Sequence, residues 1–324
     1  MKMEIPIIIA ASVILLLIVA VTVLVGYFFK KCFTRVEDKG LDSDFFASLR
    51  AMGMKAEIER IIKGRTFIRS LPSEDVYIES HDGLRLHARY YKNGDGGKVI
   101  LLAHGYKSNG EHDFSCAFEP YKNQGFDFLL IDQRAHGKSE GKYICFGTKE
   151  RFDVCRWCDY LVERNGVGVK IILDGISMGG TTVTLAAGLP EISKNVCGVI
   201  ADCGFTDAKS EIEYVAKTDY KLPPFPAVNL LELACKTRAD FGFSDASTLE
   251  AVKNIKIPII FVHGEADDYV PCDNSKKSYE ACTSEHKWLF TVPNAGHGLS
   301  YLVDTEGCTK ALDTFFEVAL SDKK

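Results

Sequence analysis

Between Glu4 and Lys30 the chain carries no charge, and Ile5 to Phe29 is almost wholly apolar. At about 1.5 Å per residue, roughly 20 such residues cross a bilayer core. The run predicts one membrane-spanning helix, residues 1–31. It is longer than the apolar core of a secretory leader, and no small-x-small cleavage pattern closes it, so a cleaved leader is the alternative reading. From Asp44 to Lys63 the period becomes helical, with Phe45, Phe46, Leu49, Met52, Met54, Ile58, Ile61 and Ile62 as its apolar positions and Gly53 placed to break it in two. Residues 32–74 are expected to form a helical connector packed on the following domain. The alternative is an amphipathic segment with Arg50, Lys55, Arg60 and Lys63 toward lipid head groups.

From Asp75 to Lys92 the period shortens to two, in alternating runs around His81-Asp82-Gly83, which is a β-hairpin signal. Short apolar runs of the kind buried on both faces of a parallel sheet follow at Val99–Ala103, Phe126–Asp132, Ile171–Leu173, Val196–Asp202, Lys256–Val262 and Lys287–Val292. Helical patterns lie between them: Phe114–Asn123, where Pro120 is expected to interrupt or restart the helix, Glu150–Glu163 and Thr181–Ala187. A last one, about Thr309 to Leu320, closes the chain. Strands alternating with helices imply an α/β domain over residues 75–324 with a mostly parallel, doubly wound sheet. The rhythm lapses between Phe205 and Lys256, where Leu222-Pro-Pro-Phe-Pro226 precedes an apolar helix, Val228 to Cys235. This stretch, about 205–255, reads as a short helical lid; an ordinary connection is the alternative.

The 324 residues, 46% hydrophobic, suffice for one large domain. A net charge of −5 gives no electrostatic case for nucleic acid. Eleven scattered cysteines do not make a disulfide framework and fit free thiols in a reducing compartment. Lys2 precedes the span and Lys30, Lys31, Arg35 and Lys39 follow it, so the positive-inside rule favours the domain on the cytoplasmic side.

The chemistry centres on Gly175-Ile176-Ser177-Met178-Gly179. An apolar strand stops there and a helical run begins, which is the context of a nucleophile elbow. Serine at the apex of so sharp a turn leaves no room beside it, hence the glycines. Serine also needs a base, and the base a third group to hold it. In the order nucleophile, acid, histidine, the candidates are Ser177, Asp267 and His297. Asp267 follows one apolar strand in His-Gly-x-x-Asp-x-x-Val-Pro; His297 follows the last strand between two glycines. Asp268 is the rival acid, and Asp202 a displaced one. An oxyanion hole needs two donors, here the backbone N–H groups of Met178 and of Tyr106 after His104-Gly105. His104, His136 and His263 read as loop-pinning residues. Cys155-Arg-Trp-Cys158 has redox or zinc spacing, but on a helix it reads as packing, and no metal or cofactor is expected.

His104-Gly105-Tyr106, Asp132-Gln-Arg-Ala-His-Gly-Lys-Ser139, Gly175 to Gly180, His263 to Pro271 and Gly296-His297 together resemble the α/β-hydrolase superfamily. The branch is similar to serine aminopeptidase-like hydrolases, monoacylglycerol lipases and cinnamoyl esterases, and within it to membrane-anchored bacterial hydrolases. The resemblance covers about Val76 to the C-terminus and implies a cofactor-free serine hydrolase acting on acyl esters. A serine peptidase of the aminopeptidase type is the alternative; for it Glu211, Glu213 and Glu232 are candidates to receive a substrate amine.

Overall fold

The computed structural model describes residues 4–35, 46–47, 49–51 and 53–321. Lys2, Lys39, Asp44, Phe45 and Met52, used above, lie outside them. An antiparallel hairpin, β1 (Glu74–Glu79) and β2 (Arg85–Tyr91), opens the domain. Strand β2 runs antiparallel to β4 (Asp127–Ile131). From β4 the sheet continues in parallel through β3 (Lys98–Ala103), β5 (Lys170–Ile176), β6 (Val196–Asp202), β7 (Ile259–Gly264) and β8 (Lys287–Val292).

Successive strand residues point to opposite faces, and the two cores divide accordingly. Leu101, Leu129, Ile171 and Leu173 pack on one face with Trp157 and Leu161 of α5 (Glu150–Asn165) and Val183 of α6 (Met178–Ala187). Ile100, Leu102, Phe128 and Ile172 pack on the other with Phe118 of α4 (Phe118–Asn123) and Phe315 of α12 (Thr305–Ala319). Every residue of β4 is buried, Asp127 included, and the other four make the apolar run Phe128–Ile131.

Prolines set boundaries that periodicity misplaces. Pro120 sits at the third position of α4, in the first turn, where no intrahelical N–H is required. The helix therefore starts at Phe118 and tolerates Pro120. A separate turn, α3 (Gly110–Asp113), precedes it, capped by the Asn109 side chain, which accepts the His112 N–H at 3.0 Å. Strand β7 starts at Ile259 rather than Lys256, after Pro258, which has no N–H to give a ladder.

Helix α1 (Glu4–Phe33) is exposed from Ile7 to Leu24, but its foot enters the domain. Phe29 and Phe33 are buried in a third core with Ile144, Phe146, Phe241 and Phe243. The Phe33 ring lies 5.4 Å from that of Phe146 and 5.5 Å from that of Phe243. The chain then pairs with the 142–144 loop: Ile144 N–H donates to Phe33 at 2.9 Å and Arg35 N–H to Lys142 at 3.0 Å. Gly53, at φ +79°, separates the helical residues 49–51 from α2 (Lys55–Ser70). Leu49, Ile58 and Ile61 pack on Leu299 and Leu302, so the apolar face of this segment is covered by the domain.

Residues 205–255 hold α7 (Ala208–Thr218), α8 (Pro224–Arg238) and α9 (Thr248–Ala251). Asp207 caps α7 by accepting the Ser210 N–H at 2.8 Å. Helix α8 packs against α7 and α1. The remaining helices are α10 (Asp273–Ala281) and α11 (Ser300–Val303).

Candidate active site

Ser177 stands between β5 and α6 with φ +57° and ψ −120°, a backbone rarely adopted by a side-chain-bearing residue. Glycine on either side makes the turn possible. A Cβ on Gly175 would collide with the Gly179 carbonyl, and one on Gly179 with the Ala103 carbonyl. Ser177 N–H donates to the Asp202 carbonyl at 2.8 Å, and the Ser177 carbonyl accepts the Thr181 N–H at 3.0 Å, so the apex is fixed from both sides.

Ser177, Asp267 and His297 follow β5, β7 and β8, at the carboxyl ends of the strands. The structure brings them together. The Ser177 hydroxyl donates to His297 Nε2 at 2.9 Å, and His297 Nδ1–H donates to Asp267 Oδ2 at 2.7 Å. The carboxylate can only accept, which assigns the proton to Nδ1 and leaves Nε2 as a base toward serine. Asp267 Oδ1 accepts the N–H groups of Tyr269 and Val270 at 3.0 and 2.8 Å. Burial alone would raise the Asp267 carboxyl, but hydrogen bonds from His263 and His297 hold it well below the usual range, so it is ionised.

His263 does more than the sequence suggested. Its Nε2–H donates to the Val270 carbonyl at 2.8 Å and to Asp267 Oδ2 at 3.2 Å, while Nδ1 accepts the Ser275 hydroxyl at 2.7 Å. Asp268 offers its backbone carbonyl to the Tyr214 hydroxyl at 3.0 Å. Asp202 ends β6 with Oδ1 unpartnered, and burial pushes its carboxyl up to about 6. Neither Asp202 nor Asp268 hydrogen-bonds His297 among the described residues.

The loop after β3 is held against the serine. A Cβ on Gly105 would sit 3.3 Å from that of Ser177, so the amide of Tyr106 follows directly on a backbone in contact with the serine. Gly105 N–H donates to Asp113 at 2.7 Å. His104 accepts the Gln133 N–H, and His136 Nε2 accepts the Lys107 N–H at 3.0 Å while its Nδ1–H donates to the Arg134 carbonyl. His136 thus pins the loop bearing Tyr106 as well as its own. Burial pushes its pKa down to about 3, so it stays neutral and keeps Nε2 as an acceptor. Met178 is the first residue of α6, at the positive end of the helix.

Two cavities meet at Ser177, both bordered by Tyr106 and Tyr269. One, of about 270 Å³, has a mainly apolar lining, with Ile176, Ile200 and Leu302, into which Asn109, His112, Asp174 and Asp202 bring polar groups. The other, of about 350 Å³, is apolar and bordered by Phe146, Phe205 and Leu231. Glu211 and Asp219 border this second cavity; Glu211 Oε1 is unpartnered and burial pushes its carboxyl up to about 8. Glu232 instead accepts from Phe243 N–H and Lys236.

Among the described residues two groups of side chains have metal-ligand spacing, Cys203–Asp267–His297 and His81–Asp82–Asp153. The first shares the aspartate and imidazole just described. In the second, the Arg134 guanidinium already supplies the positive charge, at 2.9 Å from Asp82 and 2.6 Å from Asp153. Cys155 and Cys158 are free, buried thiols on α5; burial pushes Cys155 up to about 12 and Cys158 well above its ordinary value, so neither is a thiolate at neutral pH.

A family model, that of the prolyl oligopeptidase family, matches residues 113–322. YqkD of Bacillus subtilis, described as uncharacterised, is 27% identical over 223 residues, which are 69% of this chain and 72% of that protein. An esterase of Pyrococcus furiosus superposes with a TM-score of 0.62 at 25% identity, over 76% of this chain and 91% of its own. Est1E of Butyrivibrio proteoclasticus, solved with ferulic acid bound, shares the fold with a TM-score of 0.59 at 21% identity, over 76% of this chain and all (100%) of its own.

Proposed function

The chain belongs to the prolyl oligopeptidase family and is a serine hydrolase with the α/β-hydrolase fold, and from that premise we propose that it cleaves carboxylic esters by acyl transfer through Ser177. The observation that carries the reading is the continuous hydrogen-bond line from Ser177 through His297 to an ionised Asp267, with the serine at the junction of two cavities. Ser177 Oγ attacks the acyl carbon as His297 Nε2 takes its proton. The backbone N–H groups of Tyr106 and Met178 receive the oxyanion; one such donor is worth about 3 kcal/mol. The tetrahedral adduct collapses, the ester C–O bond breaks, and His297 returns the proton to the leaving alkoxide. Water then attacks the acyl-enzyme with His297 as base, releasing the acid and restoring Ser177. Asp267 stays ionised and holds the imidazole.

Residues 1–31 act as a single-pass membrane anchor, 32–74 as a connector and 75–324 as the catalytic domain with a lid near 205–255. Support for a retained anchor is the burial of Phe29 and Phe33 in the domain: cleavage of the helix as a leader would remove both rings from a core. The basic residues Lys30, Lys31 and Arg35 after the span and eleven free thiols support a cytoplasmic catalytic domain.

A peptidase of the aminopeptidase type is the second reading, favoured by Glu211, which borders the apolar cavity with Oε1 unpartnered and available to a substrate amine. The full chain in detergent separates the two. Aryl and alkyl esters are expected to be turned over with higher kcat/KM than aminoacyl amides. Faster amides would replace the ester reading, and hydrolysis of neither would remove both.

A further inference from the structure

The apolar cavity has an unusual wall. Its floor is Ser177, and one side is α1 itself, through Val21, Leu24, Val25 and Phe28. These positions recur at the spacing of one helix face. Between Val21 and Cys32 that face is about 16 Å long at about 1.5 Å per residue. It continues the surface of α1 that is exposed and apolar further up, where Leu17, on the same face, is 60% accessible. The opposite side is the Leu222–Leu231 part of the lid. Helix α8, which packs on α1, leaves Phe225 and Leu233 exposed at 76% and 58%. Tyr220 fastens the lid to α1, with its ring 5.1 Å from Phe28 and under the Lys31 ammonium at 5.0 Å. The Tyr106 hydroxyl donates to the Cys32 carbonyl at 2.7 Å, tying the loop beside Ser177 to the same helix.

We infer that α1 is one wall of the acyl-binding site, and that the substrate is an ester dissolved in the bilayer whose chain enters sideways between α1 and α8. The inference rests on Ser177 being the nucleophile of an ester hydrolase. A helix face that lines the cavity at one end and meets lipid at the other offers an acyl chain a continuous apolar path, with no stretch through water.

The test uses the full chain in phosphatidylcholine vesicles with a series of esters from butyryl to palmitoyl. Leu24 is 51% exposed, so Leu24→Trp narrows the cavity without entering the core. It is expected to lower kcat/KM for the palmitoyl ester roughly tenfold relative to the butyryl ester. Leu24→Ala, which removes bulk and cannot clash, is expected to shift preference toward longer chains. Leu16→Trp, on the side of α1 turned away from Val21, Leu24, Val25 and Phe28, is expected to leave the profile unchanged. An unchanged chain-length preference in both Leu24 variants overturns the assignment of α1 as a wall and leaves the ester reading standing. A wild type inert toward the whole series overturns the ester reading and this inference with it.

Discussion

The carboxylate of Asp267 serves two imidazoles: Oδ2 lies 2.7 Å from His297 Nδ1 and 3.2 Å from His263 Nε2. Its other oxygen takes two backbone N–H groups of the same turn. Four donors converge on one buried carboxylate, and they fix both its charge and its direction. His263 is therefore a positioning residue, acting on His297 through Asp267.

This arrangement ranks two substitutions. Asp267→Asn should lower kcat by about 10⁴, because the amide disturbs the tautomer that leaves Nε2 free to accept the serine proton. His263→Ala removes one donor of four and should cost roughly tenfold in kcat with KM nearly unchanged. Steady-state kinetics on one soluble ester checks both. A raised KM with normal kcat for His263→Ala would contradict the positioning role.

The foot of α1 should matter for stability as well as location. Phe33 is fully buried among aromatic rings, so Phe33→Ala is expected to cost about 3 kcal/mol or more, read as a lowered Tm in detergent. Deletion of residues 1–33 removes Phe29 as well and should give an aggregating domain. A fully stable truncated domain would show that this third core does not depend on the helix.

Glu211 gives α7 a pH signature. Its carboxyl is pushed from 4.5 up to about 8 by burial, so the folded chain holds this proton more tightly than the unfolded one. The contribution is fully present below 4.5 and is lost as pH rises through about 8. Glu211→Gln removes the dependence. The Tm advantage of the variant should be absent in acid, grow with pH through that window and level off above it. A constant difference across the window would contradict the raised pKa.

The fold was readable because each central strand is a short apolar run bounded by glycine or a polar loop, as in Val99–Ala103 before His104-Gly105. The meeting of Ser177, Asp267 and His297 was readable because each follows such a run, in an order tied to the elbow. What the chain did not disclose are relations across it. The partner of Lys107 N–H is His136, and that of the Asp267 carboxylate includes His263; both imidazoles look like loop residues when only their own neighbours are in view. The two faces of α1 are equally opaque. A uniformly apolar run has no period to distinguish Leu24, which borders the cavity, from Leu16, which faces outward.

The most direct measurement maps a fluorophosphonate adduct by peptide mass spectrometry on the full-length chain. The account predicts one labelled residue, Ser177, with labelling lost in Ser177→Ala and strongly slowed in His297→Ala. An adduct on any other residue, or equal labelling of wild type and Ser177→Ala, would contradict it.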